Sequence, residues 1–555
     1  MDETPQVLKN RNESVLSFSP SQKDGKQVQY NANLSAEQSE RINRAREDAA
    51  RQAAMSVKEG LKKYRWAVMW SALMTCTLIM ESYDYSLMGQ LFGFPEFAKK
   101  YGTLLPSGKY NISAGNQTIL KQITKAGQIV GLFFTGQLVD KLGYRWTMLG
   151  SLLAIAPPVA MQYFAPNLNV LIGAQFLLGI PLAPFLTLSN VYAAEVAPPC
   201  LQPYLTSATT LGWTVGGLIS TGVLRGLLNS TLNNSYRIAF AVQWAWLGPM
   251  FLIIWFAPES PFWCIKTGRP ERARAALNRL SSDDETDEHI DNRLAMIEYT
   301  DMVEKEHEHS TSYLECFRGV NARRTEIACM VYACQNLDGY DIGGASTYFF
   351  QQAGLSSIAS FDMSLGLSGV SIVASLFTWW VMSKHGRRPI YIAGLAATTV
   401  ILICIGGLGI PTPTITTGWA TGGMCIAFKI VFYLSQGPLN GTYITDVPNV
   451  RLRAKTVVIA RGAFICSAVF MVVLTNYQIN ITAWNWRGRA GFFWAGSCFL
   501  CTVWAVFRLP ETKNRTPAQM DRLFMDRVPA RKFASTEVQS VEDQDNEMSY
   551  TRQTA

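Results

Sequence analysis

Charge and histidine are both scarce in this chain. Asp, Glu, Lys and Arg make up 16% of its 555 residues, and there are only 4 histidines. Three of these, His289, His307 and His309, share one charged stretch with Glu304, Glu306 and Glu308, and the fourth is His385. A metal site in that stretch is open on spacing alone, but a solvated charged helix is the favoured reading. So few histidines assemble no nucleophile–base cluster, and an enzyme is not expected. The Gly-x-x-x-x-Gly-Lys-Ser/Thr signature is missing, which argues against nucleotide-driven pumping. The first ~60 residues lack the apolar core of a secretory signal, so the first apolar run is expected to act as its own anchor. Of 11 cysteines, Cys200, Cys264 and Cys316 fall in loops expected on the cytoplasmic side and the others in apolar runs, so no extracellular disulfide is expected. No cofactor is implied.

Apolar sequence is what the chain has in abundance, at 48% hydrophobic residues. Runs near or above the ~20 residues that cross a bilayer recur along it. Spans are expected near 65–91, 117–139, 146–164, 169–194, 204–228, 237–257, 326–350, 363–383, 390–410, 419–445, 454–477 and 489–508. A segment such as Leu149 to Val159 shows none of the polar striping of a helix that faces water. The expected fold is an all-α membrane protein with twelve transmembrane helices. The net charge of +8 is uneven: Lys141, Arg145, Lys384, Arg387, Arg388, Arg451, Arg453 and Lys455 sit in short loops, while 165–168, 352–361 and 411–418 carry no Lys or Arg. By the positive-inside rule both termini are cytoplasmic, and the basic balance reports topology in a lipid bilayer rather than a nucleic-acid partner. Sequons at Asn111, Asn116, Asn229, Asn233 and Asn480 fall in loops expected outside. Others at Asn12, Asn33 and Asn514 fall inside and Asn440 within a span, so the motif supports the topology weakly.

One motif occurs twice, each time between apolar runs: Gly136-Gln-Leu-Val-Asp140-Lys-Leu-Gly143-Tyr-Arg145, and Ser383-Lys384-His385-Gly386-Arg387-Arg388. Pro258-Glu259-Ser260-Pro261 is echoed by Pro510-Glu511-Thr512-Lys513, and Glu195 by Asp446, at offsets near 250 residues. The pattern indicates a duplication: a tail at 1–60, a six-helix half at 61–260, a charged helical connector at 261–325, a second half at 326–510 and a tail at 511–555, expected to lack structure past about 526. Parallel repeats of this kind place a substrate between the halves at mid-membrane. Asp140, Gly143, Arg145, Gly386, Arg387 and Arg388, with Glu195, Glu259, Asp446, Arg451 and Glu511 as partners, are expected to form charge-assisted bonds that hold a cytoplasmic gate.

Ala193-Ala-Glu195-Val-Ala-Pro198, Pro258-Glu-Ser-Pro-Phe-Trp, the Gly-Arg-Arg turn at 386–388 and Pro510-Glu-Thr-Lys resemble major facilitator sugar porters. Tyr313-Leu-Glu-Cys-Phe-Arg-Gly, Ser346-Thr-Tyr-Phe-Phe-Gln-Gln-Ala-Gly354 and Arg451-Leu-Arg-Ala-Lys-Thr-Val-Val resemble fungal alpha-glucoside (maltose-type) proton symporters, over roughly 60 to 525. Within the first span Glu81 and Asp84 lie three residues apart and share a helical face. Paired carboxylates repel in low dielectric, which suits one of them to hold a proton. The resemblance agrees that this pair couples transport to protons, and implies that Arg461 balances the carboxylate when the proton leaves. Gln128 stands where some relatives carry a titratable glutamate.

In the seventh span Gln335, Asn336 and Gly339 match the family's Gln-Gln-x-x-Gly sugar-binding pattern, and Trp213, Trp379 and Trp380 are ring-stacking candidates. Asp338 and Asp341 are additions to that pattern; they grip hydroxyls, select a cationic substrate, or pair structurally with arginines. Gln202, Gly217 and Gly441 depart from the family at a gate arginine, a sugar-binding glutamine and a pocket aromatic. The expected function is plasma-membrane import of a sugar, an alpha-glucoside such as maltose, by proton symport, with a monomer expected. A transporter of another small metabolite, amine-bearing for instance, and a nutrient sensor of the same fold are the alternatives.

Overall fold

The computed structural model describes residues 55–536 apart from 107, 199, 231–233, 283–285, 311, 344–346, 450–451, 514 and 516, together with Arg44 and Arg51. Long apolar runs become helices because a chain away from water must satisfy its backbone N–H and C=O groups internally. The long helices are α1 (Arg65–Leu91), α2 (Ala114–Leu142), α3 (Tyr144–Phe164), α4 (Leu168–Val196), α5 (Gln202–Leu227), α6 (Tyr236–Phe256), α7 (Gly319–Leu337), α8 (Ser357–Lys384), α9 (Arg387–Leu408), α10 (Ile415–Leu434, continued as Gln436–Asp446), α11 (Arg453–Ile479) and α12 (Ala490–Arg508). Side chains mark several starts: Asn167 accepts from Val170 N at 3.0 Å, Ser356 from Ala359 N at 3.3 Å, and Thr414 with Thr417 forms a capping box.

Among the described residues, eight segments are long and apolar enough to cross a membrane: α3, α4, α6, α8, α9, α10 with its continuation, α11 and α12. The other four expected spans are not among them. Glu81 and Asp84 interrupt α1, Lys121 and Lys125 interrupt α2, Arg323, Arg324 and Glu326 interrupt α7, and α5 is rich in Ser, Thr and Gly. Glu81, Asp84 and Lys125 of the charged cluster described below come from these helices.

Packing repeats along the chain. Helix α1 lies on α5, α2 on α4 and α3 on α6; in the same order, α7 lies on α11, α8 on α10 and α9 on α12. Contacts of α5 with α8 and of α2 with α11 join the two sets. In lipid such packing relies on small residues. A Cβ at Gly127 or at Gly179 would stand 2.1 Å from a carbonyl oxygen of the facing helix, Phe176 O or Thr124 O, so the α2–α4 approach requires glycine there. A short hairpin, β1 (Thr103–Leu104) with β2 (Tyr110–Asn111), pairs Thr103 with Asn111 between α1 and α2.

The seventh span, expected to run unbroken over 326–350, is interrupted. Helix α7 stops at Leu337, Gly339 takes φ +82°, and short helices Tyr340–Gly343 and Thr347–Gln352 follow. Asp338 causes this locally: its Oδ1 accepts from Tyr340 N at 3.0 Å, an Asx-type turn that competes with the helix.

After α6 the connector forms helices Pro261–Lys266, Pro270–Leu280 and Asp287–Ser310. Arg279 Nη2 donates to Phe256 O at 2.6 Å and Arg293 Nη2 to Val196 O at 2.9 Å, meeting carbonyls at the ends of α6 and α4. Among the described residues no group of three or more His, Cys, Asp or Glu is placed to hold a metal, and the side chains of His307 and His309 lie outside the described set. The region just past 526, expected to lack structure, is instead docked as far as Thr536. Val528 O accepts from Arg323 Nη1 at 2.9 Å, Phe533 is fully buried, and Arg324 stands 4.6 Å over Phe524. Aromatic anchors within a polar stretch are the reason. Phe533→Ala is expected to cost about 3 kcal/mol, read as a fall in the thermal unfolding midpoint of detergent-solubilised protein; an unchanged midpoint would mean the tail is held by its backbone bonds alone.

Candidate functional site

Glu81 and Asp84 are both buried, at 2% exposure each, yet they face different surroundings. Glu81 has a neighbour in each helix set: Gln128 Nε2 on α2 of its own set donates to its Oε1 at 2.7 Å, and Arg461 on α11 of the other lies within electrostatic reach. Its Oε2 has no hydrogen-bond partner among the described residues. Asp84 points into the first set, where Gln243 Nε2 on α6 donates to it at 3.1 Å, beside buried Gln162 on α3 and Gln175 on α4. Gln128, which cannot titrate, therefore serves Glu81 as a fixed donor.

The expected sugar-binding residues of α7 separate into two groups. Asn336 Nδ2 is bonded to Phe464 O at 3.0 Å and Ser467 Oγ at 2.8 Å, tying α7 to α11, with Gln335 half-buried beside it. Asp338 is fully buried behind the break, and with the Gln436 amide turned, its Oδ2 accepts from Gln436 at 3.0 Å. Asp341 lies beyond the break and has a buried Oδ2 without a hydrogen-bond partner among the described residues. Lysines lie within electrostatic reach of the two aspartates: Lys429 of both, and Lys125 of Asp341. Lys429, buried in α10, sits 4.0 Å over the Tyr340 ring; Lys125, on α2, sits 5.1 Å over Tyr85. Trp213 meets Tyr85 edge-on at 5.8 Å, and its carbonyl accepts from Ser82 Oγ. Trp380 is half-exposed with Lys384 4.2 Å over its ring, and the Trp379 side chain lies outside the described set.

Sequence reasoning passed over Lys125, Lys429 and Tyr85. A lysine inside an apolar span was the available signal, since it is costly there without a purpose. A separate cleft of about 270 Å³ between Gln352, Pro411 and Arg487 holds none of these groups.

At the ends of α2 and α8 the twin motif forms two matching clamps. Glu259 Oε1 accepts from Tyr144 N at 2.9 Å and Arg145 N at 3.4 Å, at the start of α3. Glu511 accepts from Arg387 N at 3.0 Å and Arg388 N at 3.1 Å, at the start of α9. Each carboxylate meets orphan donors at the positive end of a helix. A Cβ would lie 2.8 Å from Glu259 Oε2 at Gly143, where φ is +87°, and 2.5 Å from Glu511 Oε2 at Gly386. Burial pushes the Glu259 carboxyl up, against the pull of its backbone donors.

Glu195 accepts from Tyr144 Oη at 2.8 Å and from Ser260 Oγ, while Asp446 pairs with Arg387. Arg145 lies over Trp255 at 5.2 Å, Arg388 donates to Leu509 O and Val506 O, and Asp140 accepts from Lys266 at 3.4 Å. Arg451 lies outside the described residues.

The opposite end, which carries the hairpin, is bonded between the sets. Asn111 Nδ2 donates to Asn480 Oδ1 at 2.9 Å, Asn480 Nδ2 to Ile112 O at 2.8 Å, and Tyr348 Oη to Asn111 Oδ1 at 3.0 Å. Gln351 Nε2 reaches Gly93 O at 2.7 Å, and Arg225 pairs with Asp362 at 2.5 Å. Two of the sequon asparagines, Asn111 and Asn480, are thus buried against each other.

Two packed helix sets with charge buried between them and clamped turns at one end define a membrane transporter of the major facilitator fold. The chain belongs to the family described as "Sugar (and other) transporter", which matches residues 70–524. That is a family of transporters, not of enzymes. A general alpha-glucoside permease of Saccharomyces cerevisiae is 35% identical over 501 residues, covering 89% of this chain and 81% of that one. A maltose permease of the same yeast is 36% identical over 502 residues with the same coverage. A solved proton:xylose symporter bound to 6-bromo-6-deoxy-D-glucose superposes with a TM-score of 0.64 at 17% identity, covering 83% of this chain and 99% of that one. The inward-open xylose transporter of E. coli also superposes at 0.64, with 15% identity and coverage of 82% and 99%.

Gly143→Ala is expected to lower stability by about 1–3 kcal/mol, from its left-handed φ and the approach of Glu259. Gly136→Ala, in the same motif but with open space around it, should be neutral or stabilising by up to about 1 kcal/mol. Thermal midpoints of the two variants check the contrast; equal effects would contradict the clamp geometry.

Proposed function

We propose that the protein imports a neutral alpha-glucoside, maltose-like in size, by proton symport across the plasma membrane of a fungal cell. It works as a monomer with twelve spans and cytoplasmic termini. The halves are 61–260 and 326–510, braced by the connector 261–325 between tails 1–60 and 511–555. The carrying observation is that Glu81 of the first helix set is buried opposite Arg461 of the second, in a chain whose alpha-glucoside permease relatives match 89% of its length. A carboxylate that holds a proton in one state and faces a guanidinium in the other links proton movement to rocking of the halves. Glu81 and Asp84 carry the coupling. Gln335, Asn336, Asp338, Asp341 and Trp213 form or support the sugar site. The clamps at Gly143 and Gly386 close and open the cytoplasmic end, and the bonds around Asn111 and Asn480 close the other.

The amine-bearing substrate is disfavoured by a specific feature: Asp338 and Asp341 already face the resident cations Lys429 and Lys125. A second positive charge would meet those lysines, whereas a neutral polyol does not.

Uptake of labelled maltose, sucrose and glucose in a transport-deficient yeast, with and without a protonophore, tests the function. Accumulation of an alpha-glucoside that the protonophore abolishes is expected. Glu81→Gln and Asp84→Asn should lose accumulation while retaining exchange. No uptake of any sugar would sink the function, and accumulation indifferent to the protonophore would remove the symport.

A further inference from the structure

Lys125 has no place in the coupling scheme above. It lies on α2 one turn before Gln128 and is half-buried, with its Nζ 5.1 Å from the Tyr85 ring centroid. Among the described residues it makes no hydrogen bond and no ion pair at contact distance. Asp341, past the break in the seventh span, lies within its electrostatic field, and so does Arg461 from α11. The buried Oδ2 of Asp341 is also without a hydrogen-bond partner among the described residues. Lys429 approaches Asp341 from α10, and Tyr85 with Trp213 supplies an aromatic wall from α1 and α5.

A lysine lacking an acceptor and a carboxylate oxygen lacking a donor, in each other's field in a low dielectric, gain strongly by being bridged. A cationic group between them would repel Lys125, and an anionic group would repel Asp341. A pair of adjacent hydroxyls satisfies both, because each hydroxyl accepts as well as donates. We propose that Lys125 and Asp341 together hold two neighbouring hydroxyls of one sugar ring, Lys125 donating to one oxygen and Asp341 Oδ2 accepting from the other, with the ring lying against Tyr85 and Trp213. Lys125 is then a specificity-determining residue for a vicinal diol. The assignment rests on the glucoside reading above and adds the feature of the sugar that is read.

The test is initial-rate uptake of labelled maltose in yeast for the unmodified protein, Lys125→Met, Asp341→Asn, the double variant and Lys125→Arg, each normalised to its amount at the cell surface. Lys125→Met and Asp341→Asn are each expected to raise KM at least about ten-fold while maximal rate and protonophore sensitivity persist. The double variant should lose less than the two single losses combined, because both contacts hold the same ring and losing either already loosens the other. Lys125→Arg, which keeps the donor and charge, should recover most of the affinity and shows that position 125 tolerates replacement. Unchanged KM in Lys125→Met, or fully additive losses in the double variant, would overturn the assignment while leaving the glucoside reading intact. No uptake by the unmodified protein would overturn that reading and this assignment with it.

Discussion

A carboxylate taken out of water has to be met by a donor or by an opposite charge, and this requirement organises the molecule. Leaving one unmet at the centre of a membrane helix costs on the order of 2.5–3.5 kcal/mol or more. The acidic groups meet the requirement in several ways. Glu259 and Glu511 use the free N–H groups that every helix start presents, and so join α3 and α9 to the segments leaving α6 and α12. Asp84 uses glutamine amides and stitches the first helix set together. Asp338 uses a turn amide and breaks α7. Glu81 uses one amide of its own set and one guanidinium of the other, so its partners straddle the surface along which the sets would move.

Legibility in the sequence followed the same physics. The pairing of each basic turn with a distant glutamate could be read because these residues recur at matching offsets, but the bonds to Glu259 and Glu511 come from backbone amides rather than from the expected arginine side chains. Glu81 and Asp84 stood out because acids inside apolar runs are rare. Their divergence into separate surroundings did not, since residues three apart share a helical face in sequence whatever packs against it. The break after α7 was hidden for a related reason. Asp338 looked like a ligand because it is charged, but its Oδ1 turns back onto the Tyr340 amide and its Oδ2 meets the Gln436 amide, so both oxygens are taken within the protein. Lys125 and Lys429 were overlooked because their partners lie on helices distant in sequence, and the docked tail was hidden by the polar residues around Phe524 and Phe533.

The two ends of the molecule are built from different chemistry. At the clamp end, carboxylates engage backbone amides and guanidinium groups, and Glu259 is held against the cost of its own burial. At the hairpin end the central contact is between side-chain amides, with Tyr348 adding a hydroxyl. Asn480, whose Oδ1 accepts from Asn111, donates an amide proton to the backbone carbonyl of Ile112, so both asparagines are engaged when the helix sets meet there.

An amide–amide contact carries no ionisable hydrogen and no net charge. On the proposed topology the Asn111–Asn480 clasp lies, itself buried, at the end nearer the medium, where acidity varies most for a cell that feeds on external sugar. A latch made of carboxylates at that position would strengthen or fail with every change in the surroundings. The Asn111–Asn480 contact itself has no group to titrate, so external acidity would act at this entrance through the neighbouring Arg225–Asp362 pair and through the proton it delivers, and not through this clasp.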